Sequence, residues 1–161
     1  MFEKYAHPIV IGCVDNHKAR KVLHDWFEGT PNCIYIDVAN EDTWGDCFVS
    51  FKIFNKKLFK TRGDMFPEVL LESNKSVVEM GCEELTNASP QFLKTNSMAA
   101  NLVFNALDSI IVKDKLPFYY SSFDLDSMSV DSKFIAGYEE VTISSITNTI
   151  REASKNATSV A

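Results

Sequence analysis

The chain has 161 residues, 45% hydrophobic and 24% charged, with a formal net charge of −6 and a pI near 5.0. That length points to one domain with a core of its own, and the acidic balance argues against a nucleic-acid binder, which needs a basic face. No apolar run approaches the ~20 residues that span a bilayer and no signal-peptide pattern opens the chain, so no membrane partner and a cytoplasmic location are expected.

The four cysteines, Cys13, Cys33, Cys47 and Cys82, are widely spread with no C-x-x-C pair. That spacing argues against a structural zinc site, and in the cytosol the thiols stay reduced. A single domain is expected over residues 1–150, with residues 151–161 as a small, polar, flexible tail.

Ile9-Val10-Ile11-Gly12-Cys13-Val14 is a continuous apolar run, read as a strand covered on both faces, with Cys13 in the core. It runs straight into Asp15-Asn16. Residues His17–Glu28 read as a helix, because Ala19, Val22, Leu23, Trp26 and Phe27 recur at spacings of three and four. Asn16 fits its N-cap, and Gly29 with Pro31 stops it. Cys33–Val38 is a second strand of the same type, so the unit is β-α-β, with a parallel pair and a right-handed crossover.

Trp44 lies in a polar loop, residues 40–45. Cys47–Phe54 reads as a strand, extended as a hairpin through Asn55-Lys56 to residues 58–60. Arg62–Pro67 is a connector, and residues 67–90 are largely irregular, with a helical turn at 68–72. A long helix starts at Ser89 or Pro90 and runs to about Val112. Its Gln91, Thr95, Asn96, Ser97, Asn101 and Asn105 make an amide-rich stripe, either a wet face or a face toward a ligand or partner. Residues 117–125 and 130–136 are β-like with a turn between them, and 141–150 form a strand or a short helix.

The residues that can carry chemistry cluster after the first strand. In open α/β sheets, ligands bind beyond the carboxyl ends of the strands. A carboxylate there, Asp15, can hold a magnesium ion that bridges phosphates. The bland alternative is that Asp15-Asn16 only caps the helix. Arg20, one turn in, can reach back to Asp15 or to a phosphate, or lie in solvent. Cys82 precedes the long helix, where a cysteine is either a lowered-pKa nucleophile or a buried structural thiol.

Cys13-Val14-Asp15-Asn16-x-x-x-Arg20 resembles the aspartate motif of the ThiF/MoeB/E1 superfamily, enzymes that adenylate ubiquitin-like and sulfur-carrier proteins. Asp37-Val38-Ala39-Asn40 with Gly45 looks like the next segment of that fold. Pro67-Glu68, Gly81-Cys82-Glu83-Glu84-Leu85 and the run Thr95–Asn101 are similar to bacterial ThiF-like proteins of the PRTRC type. The resemblance covers most of residues 8–137.

It implies an α/β fold: a truncated Rossmann-like, ThiF-type sheet with flanking helices and a C-terminal β-hairpin. It implies ATP and Mg2+ as cofactors, with Asp15 as metal ligand, Asn16 and Arg20 beside the nucleotide, and Cys82 where some members form a thioester. The expected partner is a ubiquitin-like or sulfur-carrier protein whose C-terminal carboxylate attacks the α-phosphate. The family's glycine-rich loop, ribose-binding acid and phosphate-binding cations all precede the aspartate motif and have no counterpart here. The expectation is therefore half of a site, completed by a complementary N-terminal half on another chain, or by a homodimer. The alternatives are a non-catalytic, partner-binding remnant of the fold, and a chain that belongs to a longer protein.

Overall fold

The computed structural model describes residues 7–71, 93–136 and 141–158. The chain is α/β, as expected, but its sheet is mostly antiparallel. Six strands follow one another as β1 (Ile9–Gly12), β2 (Cys33–Asn40), β3 (Trp44–Ile53), β4 (Lys56–Lys57), β5 (Tyr120–Asp124) and β6 (Ser129–Lys133). Their order in the sheet is β1-β2-β3-β5-β6, with β4 also on β3. Among the described residues only β1 and β2 run parallel.

The β-α-β reading is correct. Helix α1 (His17–Gly29) crosses between β1 and β2, opened by the Asn16 side chain, which accepts a 2.8 Å hydrogen bond from the Ala19 amide. One expectation about β1 is corrected. Among the described residues it pairs only with β2, so it is a sheet edge, and its two faces are only partly covered: Ile9 and Val10 pack on the two core clusters but are not themselves fully buried. Ile11 is 41% exposed, and Cys13, one residue past the strand, is exposed rather than core.

The long strand β3 explains the rest of the sheet. One side pairs with β2 from Gly45 to Lys52, and the other takes β5 at its start and β4 at its end. The hairpin into β4 turns on Phe54 and Asn55, both at positive φ, as a two-residue primed turn requires.

Strand alternation divides the core. On one face Ile34, Ile36, Val38, Cys47, Val49 and Phe51 pack under helix α3 (Leu93–Leu107) through Ala99, Leu102, Val103 and Ala106. Ile143, in α4 (Ile143–Thr158), joins the same cluster. The segment expected to be a short helix or strand and then a flexible tail is thus one amphipathic helix. Directly after α3 the chain makes a π-helical turn, Asp108–Val112, and Asp114 just beyond it caps the distant α4 through its carbonyl and Oδ1.

On the other face α1 lays Leu23, Trp26 and Phe27 on Val10, Cys33 and Tyr35. Burial of Phe27, with none of its surface exposed, contributes about 2–3 kcal/mol. This face carries charge as well as carbon. Asp37, Asp46 and Lys52 point to it from the strands and are buried, as are Arg20 on α1 and Arg62 on the short helix α2 (Arg62–Met65). A 3-10 turn, Pro67–Leu70, follows α2 near the helical turn expected at 68–72. Cys82 and the segment around it fall outside the described residues.

Candidate functional site

The carboxyl ends of β1 and β2 open into a cleft of about 730 Å³. Its walls come from several elements of the fold. The turn after β1 brings Cys13, Val14 and Asp15; the first turn of α1 brings His17 and Arg20. The end of β2 and its loop bring residues 38–42. The start of β3 adds Trp44 and Asp46, and the segment from α2 through the 3-10 turn adds Arg62, Phe66 and Glu68. The first turns of α3 close it with Asn96, Ala99 and Ala100.

Two hydrogen bonds hold this mouth in shape. Asn40 Nδ2 donates to Asn96 Oδ1 at 3.0 Å, joining β2 to α3. Thr95 Oγ1 donates to the Asp42 carbonyl at 2.7 Å, fixing the β2–β3 loop. The amide stripe of α3 therefore serves two purposes: Thr95 and Asn96 tie down the cleft, while Asn101 and Asn105 face solvent.

The structure places the predicted residues as follows. Asp15 is exposed at the cleft mouth and, among the described residues, accepts only from its neighbour Asn16, whose Nδ2 lies 3.0 Å away. Asn16 is the helix cap, with its Oδ1 occupied by the Ala19 amide. Arg20 is turned inward and 6% exposed. Its Nη1 pairs with Asp37 Oδ1, and its Nη2 donates to the Val14 carbonyl at 2.7 Å. It neither lies in solvent nor reaches Asp15.

Sequence reasoning missed the other half of this network. Arg62 Nε donates to Asp37 Oδ2 at 3.1 Å, and Arg62 Nη2 makes an ion pair with Asp46 Oδ1 at 2.5 Å. The guanidinium also lies 4.8 Å from the centre of the Phe48 ring, a cation–π contact. Burial by itself would lower the Arg62 pKa, but the Asp37 charge and the Asp46 contact raise it above its ordinary value, so it is a permanent cation. The chain Arg20–Asp37–Arg62–Asp46 thus forms a buried floor of alternating sign beneath the cleft. The one sequence signal for it was Asp37, a charged residue inside the otherwise apolar run Cys33–Val38.

Cys13 is also on the cleft wall, but it is not activated. Desolvation first, and then the Asp37 charge, push its thiol above its ordinary value, against the opposing effect of Arg20. A thiol raised in this way is a poor nucleophile at neutral pH.

A second cluster lies away from the cleft. His24 and Glu28 on α1 and Asp64 on α2 bring ligand atoms within 4.8 Å of one another. A cation already satisfies it: the Lys57 ammonium pairs with Glu28 and, at 2.8 Å, with Asp64.

The residues of the cleft do not by themselves fit a nucleoside triphosphate. Both guanidiniums on its walls are committed to Asp37 and Asp46, and five carboxylates share those walls. Asp15 offers a free carboxylate for a divalent cation, but the groups that would neutralise three phosphates have no counterpart among the described residues. Among those residues, no helix is long and apolar enough to cross a membrane. No protein-family model matches the chain, and no curated protein matches it.

Proposed function

We propose that this chain is the aspartate-motif half of a ThiF/E1-like, truncated Rossmann-like adenylation site, and that it works only with a second polypeptide. One observation carries the reading: the free Asp15 carboxylate stands at the carboxyl end of the parallel β1–β2 pair, at the mouth of the cleft. Edge strand β1 supports it, because among the described residues it has one partner, and such an edge offers its outer amides and carbonyls to a complementary sheet. The partner would supply the glycine-rich loop and the cations that this cleft lacks. The chain's own contribution is Asp15 for a metal ion, and a rigid floor in which Arg20 and Arg62 hold the strand ends in place.

The test is magnesium-dependent exchange of labelled pyrophosphate into ATP. It is run with the chain alone and with the product of a neighbouring coding frame that carries a Gly-x-Gly-x-x-Gly strand-helix unit. The expected result is no exchange alone and exchange with the partner, abolished by Asp15→Ala. Exchange by the chain alone would overturn the half-site reading. Partner-supported exchange that survives Asp15→Ala would remove the metal assignment.

A second reading, a non-catalytic module of the same fold that binds a ubiquitin-like or sulfur-carrier protein, is favoured by the commitment of both arginines to structural pairs. It predicts carrier binding with no exchange under either condition.

A further inference from the structure

We infer that the chain pairs with a second copy of itself through the outer edge of β6, antiparallel, about a twofold axis at Ser132. Among the described residues β6 has one neighbour, β5, and it ends the sheet opposite β1. It is the less covered of the two edges. Ser129, Val130, Asp131 and Lys133 are exposed and Ser132 is half-buried, whereas Ile9 and Val10 of β1 pack against the two core clusters.

Edge strands are ordinarily protected by a proline, a bulge, a covering segment or charges that repel a second strand. Among the described residues β6 has none of the first three: it reads Ser-Val-Asp-Ser-Lys and pairs with β5 in unbroken register. Its charges, Asp131 and Lys133, are opposite in sign and share one face, beside Ser122 and Tyr120. The Lys133 ammonium lies 5.4 Å from the centre of the Tyr120 ring, and neither charge has an ion-pair partner among the described residues.

Symmetry then selects the register. Residues opposite each other in a sheet share a face, and faces alternate along a strand. A twofold axis joining two such edges must therefore pass through a residue, not between two. Centred on Asp131 or on Lys133, it would set like charges directly opposite each other, which destabilises. Centred on Val130, it would set Asp131 opposite Ser129 and Lys133 opposite Ser127 of the second copy, and neither charge would meet its complement. Centred on Ser132, it sets Asp131 of each copy opposite Lys133 of the other. The same register sets Val130, 51% exposed, opposite Phe134, 61% exposed and one residue past the strand. Charge and apolar surface are thus both self-complementary in one arrangement, as a twofold interface requires. The strand is short, so the contact is at the weak end of specific interfaces and forms as concentration rises. It leaves the β1 edge uncovered and does not depend on nucleotide binding.

The experiment is sedimentation velocity of the whole chain over a wide range of concentration, for the native chain, Asp131→Lys, Lys133→Asp and the swap Asp131→Lys/Lys133→Asp. The expected result is a reversible monomer–dimer equilibrium for the native chain that weakens with salt. Each single variant sets like charges opposite each other at both contacts and should dimerise about tenfold more weakly. The swap re-forms both pairs and should restore the dimer. Mixing the two single variants should restore it too, because one copy then presents two lysines to two aspartates. Only exposed side chains are changed, and an unchanged melting temperature checks folding. A native chain that stays monomeric at every concentration would overturn the proposal. So would a dimer that the single variants leave intact, or one that neither the swap nor the mixture restores.

Discussion

Arg20, on the first turns of α1, is bound to Asp37 in the middle of β2, and the two side chains are 7% and 2% exposed. Asp37 also takes Arg62, so one carboxylate holds two guanidiniums in a largely dry layer between helix and sheet. Removing an arginine leaves Asp37 with one cation. Removing Asp37 leaves two buried cations facing each other. Asp37→Ala should therefore be the more damaging change, costing about 3–5 kcal/mol. Urea unfolding followed by circular dichroism measures it, as a fall in midpoint at unchanged slope. A loss under about 1 kcal/mol would show that the floor is not structural.

Lys52 makes the second buried charge contact of this face. Its ammonium donates to the Phe27 carbonyl at 2.7 Å and to the Glu28 carbonyl at 2.9 Å, the last turn of α1, and sits 4.8 Å above the Phe27 ring. A cation at a helix C-terminus satisfies carbonyls that have no partner within the helix and meets the negative end of the dipole. Lys52→Met keeps the length and apolar stem but leaves those carbonyls unpaired. It should cost about 1–3 kcal/mol. Amide hydrogen exchange localises the effect: the last turn of α1 should lose protection, while β2 should keep most of its own.

These contacts show what the sequence could and could not reveal. The apolar run into Asp15-Asn16, the stripe Ala19–Phe27 and the stop at Gly29 defined β1 and α1, because local periodicity and capping decide them. The β5–β6 pair was readable for the same reason; a hairpin after β3 was expected too, but its turn falls at Phe54-Asn55 rather than Asn55-Lys56, and β4 is Lys56–Lys57 rather than residues 58–60. Lys52 was legible only as part of a strand, and Arg62 only as part of a connector. Their partners are 24 and 25 residues away, and no local pattern reports such a contact. The cleft was legible only in its first wall, Asp15 to Arg20. Its acidic and aromatic walls come from the β2–β3 loop and the segment after α2, which only the folded sheet brings together.

The pair Lys57–Asp64 should set part of the acid sensitivity. Burial tends to raise the Asp64 carboxyl. Hydrogen bonds from Lys57 and from the Thr61 amide and hydroxyl outweigh that and hold it below its ordinary 3.8. For Lys57, burial lowers the ammonium, while its bonds to Asp64 and Glu28 raise it above 10.5. A carboxyl lowered on folding stabilises at pH values above 3.8 and loses that contribution as pH falls through its folded value; a raised lysine stabilises below 10.5 and loses its contribution as pH rises through its folded value. The difference in stability between the native chain and Asp64→Asn should thus be flat from about pH 5 to 9 and shrink below pH 4. Thermal melts across that range provide the measurement, and a difference that grows in acid would contradict the pairing.

Met128, in the turn between β5 and β6, is 82% exposed and has φ of 52°. A side chain there packs on little and sits in the left-handed region that only glycine adopts without cost. Met128→Gly should stabilise the chain by about 0.5–1 kcal/mol, seen as a higher melting temperature with an unchanged spectrum. An equal or lower melting temperature would mean that the methionine makes contacts that outweigh the backbone strain.

Gly45 shows the opposite constraint, and it bears on the cleft. It follows Trp44 at the start of β3, between the Ala39 carbonyl and the Phe123 ring, and an added Cβ would lie 2.7 Å from both. The ring can swing, but the carbonyl belongs to β2 and is fixed by the β2–β3 register that pairs Ala39 with Asp46. Gly45→Ala must therefore push the hairpin apart where Trp44 and Asp46 enter the cleft, at a cost of about 1–3 kcal/mol. Its melting temperature should fall. If it holds, the close approach of β3 to the Ala39 carbonyl is not maintained in solution.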